Sequence, residues 1–397
     1  MLLQVATVLA VTLFSTTKLA EARPKSYAVW AADSVIARGQ GNGLTAGVPS
    51  VQYADGEFQW GLRLLYERTG NQSYFDWIRM GADNIVASNG SVIGAYNLSS
   101  YQLDPLRTGP TFIYMYEKTG EAKFRQAANV YRGQLNVHPR TEEGQFWHKL
   151  IYPNQGWLDG VYMGEVFYTR YTLAFDTHNA TAWNDITSQF ELMFDHTIQL
   201  PGAQNDFGLL YHGYDYSHTA VWASPDRGHS PEVWDRALGW YMMALVDVLE
   251  VAPANSGPLR PTLLRILNAL VPKLRDAADP TTGAWWLVIT QPGRALNYFE
   301  SSGAAMYIYA LLKSVRLGFV EDPHGSIVAA AKKAYGYAVE NWVIPNADGT
   351  MSWNNTVVVG SLNTDGSFDY YVSQPVDLDD LKGVAAFLLA SLEYEKL

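Results

Sequence analysis

The chain has no cysteine among its 397 residues. Structural disulfides, thiolate metal sites and cysteine nucleophiles are therefore excluded. A chain of this length has core enough to fold without covalent staples. Charge is sparse, with Asp, Glu, Lys and Arg making up 17% of residues and a formal net charge of −11. No Lys/Arg run occurs. Neither nucleic acid nor an anionic membrane is expected as a partner, and an acidic substrate must be caught by individually placed cations. No apolar stretch approaches the roughly 20 residues that span a bilayer. The sequence also lacks HExxH, G-x-S-x-G, a P-loop and a dinucleotide fingerprint. His138 and His148 are ten apart and His212 and His218 six apart. Neither spacing is diagnostic of zinc, so no metal is expected.

The first residues read as a processing segment. An apolar run extends from Leu2 to Phe14, with polar breaks such as Gln4 and Thr12, and Ala20-Glu21-Ala22 follows. This matches a signal peptide over 1–22 with an A-x-A cleavage site, although no basic residue precedes the run. A short buried helix is the other reading. A signal peptide implies a secreted protein with one mature domain over 23–397. Asn71, Asn89, Asn97, Asn179 and Asn354 begin Asn-x-Ser/Thr sequons, each a candidate glycosylation site if the host glycosylates.

Aromatics are plentiful, with 13 Trp and 25 Tyr. Their faces suit both sugar rings and helix packing. A helical period dominates the pattern. It predicts helices near 24–39, 54–69, 73–87, 104–118, 121–137, 159–175, 180–198, 231–250, 258–277, 299–316, 325–341 and 382–395. Leu65 to Gly70 and Met115 to Gly120 form a weak repeat, each a helix end, a glycine stop and a new helix. Repeated αα-hairpins cannot bury their faces alone. Six such hairpins predict an all-α, (α/α)6 barrel, with an open solenoid as the alternative. The connectors alternate between short and long. The long ones are 40–53, 88–103, 138–158, 199–230, 278–298 and 342–381. In an up-and-down array these all emerge at one end, and long loops in a compact domain are usually functional.

Those loops hold the groups suited to chemistry. One runs through His138-Pro139-Arg140 and His148-Lys149 to Trp157-Leu158-Asp159-Gly160. An Asp-Gly pair at a helix entrance is ordinarily an N-cap. Here His148, Lys149 and Trp157 surround it with cation and aromatic character. Asp104, ahead of Pro105, begins another helix at the same rim, where the cap reading also applies. Two carboxylates at one pocket suit proton transfer on sugars, because repulsion and apolar walls drive their pKa values apart. Trp157 is expected to supply the desolvation that keeps Asp159 protonated. His212 is either a structural loop histidine or a group that meets a sugar hydroxyl. The Ser230-Pro231 pair predicts a helix start, with Trp234 and Arg236 in its first turns. Arg236 either forks onto a substrate carboxylate or pairs with Asp235 or Glu232 on a solvated face. Asn297 to Gly303 reads as scaffold, with Glu300 behind the site.

The blocks HPRTEEGQFWHK, YPNQGWLDGVYMGE, SPEVWDRALGWYMMALVDVLE, NYFESSGAAMYIYAL, DGSFDYY and DLKGVAAFLLASLEYE run through almost the whole mature chain. In them the sequence resembles glycoside hydrolase family 105, the unsaturated rhamnogalacturonyl hydrolases. The resemblance implies an (α/α)6 barrel and no metal or organic cofactor. It implies Asp159 as general acid/base, assisted by Asp104. It also implies substrate contacts at His148, Lys149, Trp157, His212, Trp234 and Arg236. The substrate would be an unsaturated uronic-acid oligosaccharide from pectin. Water would add across the C4–C5 double bond after Asp159 protonates C4. Two departures stand out. Asp235 replaces the glycine that family members often carry before the arginine, which puts the local charge in doubt. Asp379-Asp380-Leu381 replaces an Asn-Asp pair. Competing expectations are an unsaturated glucuronyl hydrolase, a non-catalytic sugar-binding toroid, and an α/α-barrel endo-glycosidase or epimerase.

Overall fold

The computed structural model describes residues 24–203 and 205–397. The segment 1–22, read as a signal peptide, lies outside them. Among the described residues twelve long helices carry the fold. They are α1 (Tyr27–Ala37), α2 (Tyr53–Thr69), α3 (Gln72–Ile85), α4 (Gly109–Thr119) and α5 (Ala122–Val137). Next comes α6, built as Leu158–Gly160, a π-helical turn Val161–Glu165, and Val166–Phe175. Then follow α7 (Ala180–Thr197), α8 (Asp235–Val251), α9 (Leu259–Asp276), α10 (Ser301–Arg316), α11 (Ser326–Asn341) and α12 (Leu381–Tyr394).

Each helix forms where local chemistry starts and stops it. Ser26, Asn71, Asn179, Glu300 and Asp380 accept backbone N–H bonds at the entrances of α1, α3, α7, α10 and α12. Gly70 and Gly120 end α2 and α4 in the left-handed conformation, at φ 70° and 71°. These are the two glycine stops of the repeat.

The even-numbered helices form an inner ring. α2 packs on α4, α4 on α6, α6 on α8, α8 on α10, α10 on α12, and α12 returns to α2. The inner helices α8 and α10 are covered on all sides: every residue from Asp235 to Leu249 and from Ser301 to Ser314 is buried. Outer helices bury one stripe, as in α3 with Tyr74, Ile78, Ala82 and Ile85. The fold is an (α/α)6 toroid. Its closure is stitched by Ser26, whose hydroxyl donates to both Glu395 carboxylate oxygens at 3.0 and 2.8 Å, and by Arg68 to Glu395 at 2.6 Å.

The long connectors contain small strand pairs that periodicity did not predict. Gln155–Trp157 pairs with Gly213–Asp215, and Thr356–Val357 with Val376–Asp377. A short helix, Phe368–Ser373, lies between the latter two. One helix start is corrected. The Ser230-Pro231 pair does not open α8. Trp234 stays extended and bridges Val288, and Asp235 N–H donates to the Leu287 carbonyl, so the helix begins at Asp235. Asp104 likewise opens a 3-10 segment, Asp104–Thr108, that leads into α4.

Candidate active site

The inner-ring helices begin at the loop-rich end, and their first residues surround one cavity of about 180 Å³. Asp104, His148, Lys149, Trp157, Asp159, Trp234 and Arg236 all line it. Of the expected site residues, only His212 is absent from its wall. The loops are locked together by backbone bonds. Leu103 N–H donates to the His148 carbonyl, His148 N–H to Gln155, and Leu158 N–H to His212. Thus three segments far apart in sequence form one rigid rim.

Neither aspartate is a helix cap. No side-chain cap bond is made at the entrance of either segment. Asp104 receives Lys149 Nζ at 2.6 Å, with His148 Nε2 at 3.6 Å. Burial pulls the Lys149 amine down, and the Asp104 charge beside it more than compensates, raising it above its ordinary value. Burial pushes the His148 imidazole down to about 4, so this ring is neutral at neutral pH. His148 stacks on Trp157 at 4.5 Å, and Trp157 on Tyr152 at 4.7 Å. Together they give the cavity a flat aromatic wall.

Asp159 points instead to His212. Its Oδ2 lies 3.1 Å from His212 Nε2, and His212 Nδ1 lies 2.7 Å from the Tyr371 hydroxyl. Burial holds the Tyr371 phenol well above its ordinary pKa, so it is an O–H that can donate to Nδ1. The opposite ring nitrogen then carries its proton toward Asp159. His212 is fully buried. It is therefore placed behind Asp159 rather than against a sugar. The expectation for Asp159 itself is corrected as well. Burial does push its carboxyl up, but the attraction and hydrogen bond of His212 outweigh this and hold it below the ordinary carboxylate value. Asp159 is thereby favoured as a carboxylate, despite the neighbouring Trp157.

Arg236 is not on a solvated face. It is 1% exposed, and among the described residues no carboxylate pairs with it. One guanidinium nitrogen donates to the Val357 carbonyl at 2.6 Å, while Nη1 is buried without a partner. Trp234 Nε1 is also a buried donor without a partner. Both residues line the cavity, and each keeps one buried N–H without a protein partner. Asp235 does not cancel the arginine. Burial pushes its carboxyl well above the ordinary range, and the charge of Glu300 adds to the rise. Its Oδ1 accepts from the Arg236 backbone N–H at 2.8 Å. Glycine at 303 makes room for it, since a Cβ there would sit 2.5 Å from Asp235 Oδ2. Glu300 is fully buried and bonds Ser302, Gly303 and Val357, consistent with scaffold behind the site.

Sequence reasoning assigned no site role to several wall residues. Tyr53 enters from α2, and Val359, Gly360 and Ser361 from the last long connector. Gly360 fits because any side chain would meet the Trp234 ring at 2.6 Å. Among the described residues no group of three His, Cys, Asp or Glu could hold a metal ion, and no helix is long and apolar enough to cross a membrane.

Comparison with known proteins places this arrangement in context. A family model described as Glycosyl Hydrolase Family 88 matches residues 31–397. The chain is similar to a solved glycoside hydrolase from family 105 of C. acetobutylicum ATCC 824. The two share 38% identity over 94% of this chain and 100% of that one, with a TM-score of 0.86. It shares 36% identity over 195 residues with the 24.9 kDa protein in the picA locus of Rhizobium radiobacter, covering 47% of this chain and 82% of that protein. An unsaturated glucuronyl hydrolase from Bacillus sp. GL1 has the same fold at 13% identity, with a TM-score of 0.62 over 93% and 95% of the two chains.

Proposed function

Since the chain belongs to the family 88/105 glycoside hydrolases, we propose that it removes a C4–C5-unsaturated uronic acid from the non-reducing end of rhamnogalacturonan fragments. The observation that carries this reading is the pairing of Asp159 with the unused Arg236 and Trp234 donors in one cavity. The uronate carboxylate meets Arg236 Nη1 and Trp234 Nε1. Its ring lies along the Tyr152–Trp157 wall. The incoming negative charge raises the Asp159 carboxyl, so a proton is taken up with substrate.

Asp159 then gives that proton to C4. Positive charge develops at C5 and the ring oxygen, where the Asp159 and Asp104 carboxylates stabilise it. Water adds at C5 and returns its proton to Asp159. The C5 hemiketal opens to a ketone, and the C1 hemiacetal left behind collapses, expelling the rest of the oligosaccharide. One water is consumed and Asp159 ends as it began. This differs from ordinary glycoside hydrolysis, in which a carboxylic acid protonates the glycosidic oxygen.

Elimination flattens C4, so galacturonate and glucuronate give the same unsaturated ring. Discrimination must come from the sugar beyond it. At the cavity wall Val359 is apolar and 48% exposed. That suits the methyl group of rhamnose better than a sulfated amino sugar. The rival reading, hydrolysis of unsaturated glycosaminoglycan ends, draws on the fold shared with the glucuronyl enzyme.

The test is loss of the enol-acid ultraviolet absorbance on lyase-generated rhamnogalacturonan oligomers. Wild type should bleach it, and Asp159→Asn should fall by three or more orders of magnitude. No loss with wild type would sink the reading. Loss on chondroitin or heparin disaccharides alone would promote the rival. Arg236→Ala should raise KM more than it lowers kcat, because the carboxylate is held in ground and transition states alike. A collapse of kcat at unchanged KM would contradict that role.

A further inference from the structure

Two carboxyl groups stand beside Arg236, each from a different inner helix. Asp235 opens α8 and Glu300 caps α10, and both are fully buried. They meet at Gly303. Its N–H donates to Glu300 Oε2 at 2.8 Å, and a Cβ there would sit 2.5 Å from Asp235 Oδ2. Among the described residues, the donors nearby are already committed. The Ser302 hydroxyl and the Val357 N–H serve Glu300. The Arg236 N–H serves Asp235 Oδ1, and the Tyr307 hydroxyl serves the Asp235 backbone carbonyl. Asp235 Oδ2 is left as a buried oxygen without a donor.

Two ionised carboxylates side by side in such a place repel strongly. One proton between them removes the repulsion and gives Oδ2 the bond it lacks. The rise of the Asp235 carboxyl agrees with this. Burial contributes most, then the charge of Glu300 and a hydrogen bond to it. The balance of charge agrees as well. Facing the pair are Arg236 and, from α12, Lys382, which is bonded to Asp380 at 2.6 Å. Tyr298 and Tyr307 also face it, and burial keeps both as O–H groups. With one shared proton the pair carries a single negative charge. With Asp380 that makes two anions against two cations. Without the proton, a further negative charge beside Arg236 would oppose an incoming carboxylate.

The pair reaches the guanidinium through one residue. Val357 gives its N–H to Glu300 Oε1 at 3.0 Å and takes an Arg236 nitrogen on its carbonyl at 2.6 Å. The same segment runs on to Val359, Gly360 and Ser361 in the cavity wall. Glu300 thus fixes the strand against which Arg236 leans, while Arg236 Nη1 stays unbonded.

We propose that Asp235 and Glu300 share one proton and act together as positioning residues for Arg236, keeping its guanidinium placed and its charge available to a substrate carboxylate. The positioning role rests on the reading of Arg236 given above, whereas the shared proton does not. Neutron diffraction from wild-type crystals near pH 7 should show one deuteron between the two carboxyl groups. Its absence would overturn the proposal, and this readout needs no variant to fold. Kinetics test the positioning. Asp235→Leu removes the shared hydrogen and should raise KM at least tenfold, with a smaller change in kcat. Asp235→Asn places an N–H toward Glu300 and should bring KM back to within about threefold of wild type. Equal rises in both variants, or none in either, would overturn the positioning role. KM is read on whichever unsaturated uronide the wild type consumes, so failure on rhamnogalacturonan strikes the substrate reading and not this one.

Discussion

Tyr371 is the residue that most changes how the catalytic cavity is understood. It lies 159 positions from His212, yet its hydroxyl fixes which nitrogen of that ring faces Asp159. Its ring also stacks on Trp234 at 5.7 Å. Tyr371→Phe keeps the stack and removes the donor. The loss of one hydrogen bond of about 1.4 kcal/mol should lower kcat roughly tenfold. KM should hold, because Tyr371 is absent from the cavity wall. Steady-state kinetics decides this: a rise in KM with intact kcat would make Tyr371 a packing residue only. The two aspartates, the flanking cations and the two tryptophans were legible in sequence because each sits in a compact, unusual motif. Tyr371 was not. The DGSFDYY block carried the resemblance, but nothing local links a tyrosine to a histidine so distant. The electrostatic sign at Asp159 was also hidden, since an adjacent Trp157 says nothing about a buried imidazole arriving from another loop.

At the level of elements, the entrance of α6 is the joint on which the cavity depends. A Cβ on Gly160 would lie 2.9 Å from Leu103 Cδ1 and 3.2 Å from His148 Nδ1. Those neighbours carry Asp104 and the aromatic wall. Gly160→Ala should therefore cost about 1–3 kcal/mol of stability through overpacking. It should also lower kcat/KM, because it separates the segment bearing Asp104 from the one bearing Asp159. Melting curves with kinetics on the same preparation check both, and unchanged values in both would show that the rim yields freely. The π-helical turn that follows, Val161–Glu165, supplies an irregular stretch of the kind often found at functional sites. The twelve helices were readable because their signals are local: a period near 3.6, a polar cap, a glycine stop. The strand pairs were not, since Gln155–Trp157 meets Gly213–Asp215 across two intervening helices, α6 and α7. The displaced start of α8 has the same cause. Ser230-Pro231 is a sound local signal, overridden by the pairing of Trp234 with Val288.

Across the whole molecule, ionisable groups buried near the inner ring tie stability to pH. Asp55 in α2 is 6% exposed, and burial raises its carboxyl from 3.8 to about 7, against the opposing Gly43 N–H bond. The folded form therefore holds a proton that the unfolded chain releases between those values. By linkage, stability falls as pH rises through that window and is level above it. The size of the fall is on the order of 4 kcal/mol at about 1.4 per pKa unit. Asp55→Asn keeps an acceptor for Gly43 and removes the titration. Its Tm should exceed that of the wild type at pH 8 and converge with it near pH 4. Identical pH profiles for the two proteins would refute the assignment. The ring architecture itself was foreseeable from twelve helices falling into six hairpins, and its loop-rich face from alternating connector lengths. The charges inside it were not, because sequence alone does not show which faces of an inner helix meet at the axis.

The contact between Ser26 and Glu395 has a consequence for how the gene can be written. Around the inner ring, α12 meets α2 as each other inner helix meets its neighbour. The order in which the hairpins are read is therefore a convention of the chain rather than a demand of the fold. A circular permutant spliced near residues 26 and 395 and opened at the exposed Gly70 turn would keep the inner-ring packing. It would move the break in the backbone from one hairpin boundary to another on the face opposite the catalytic rim.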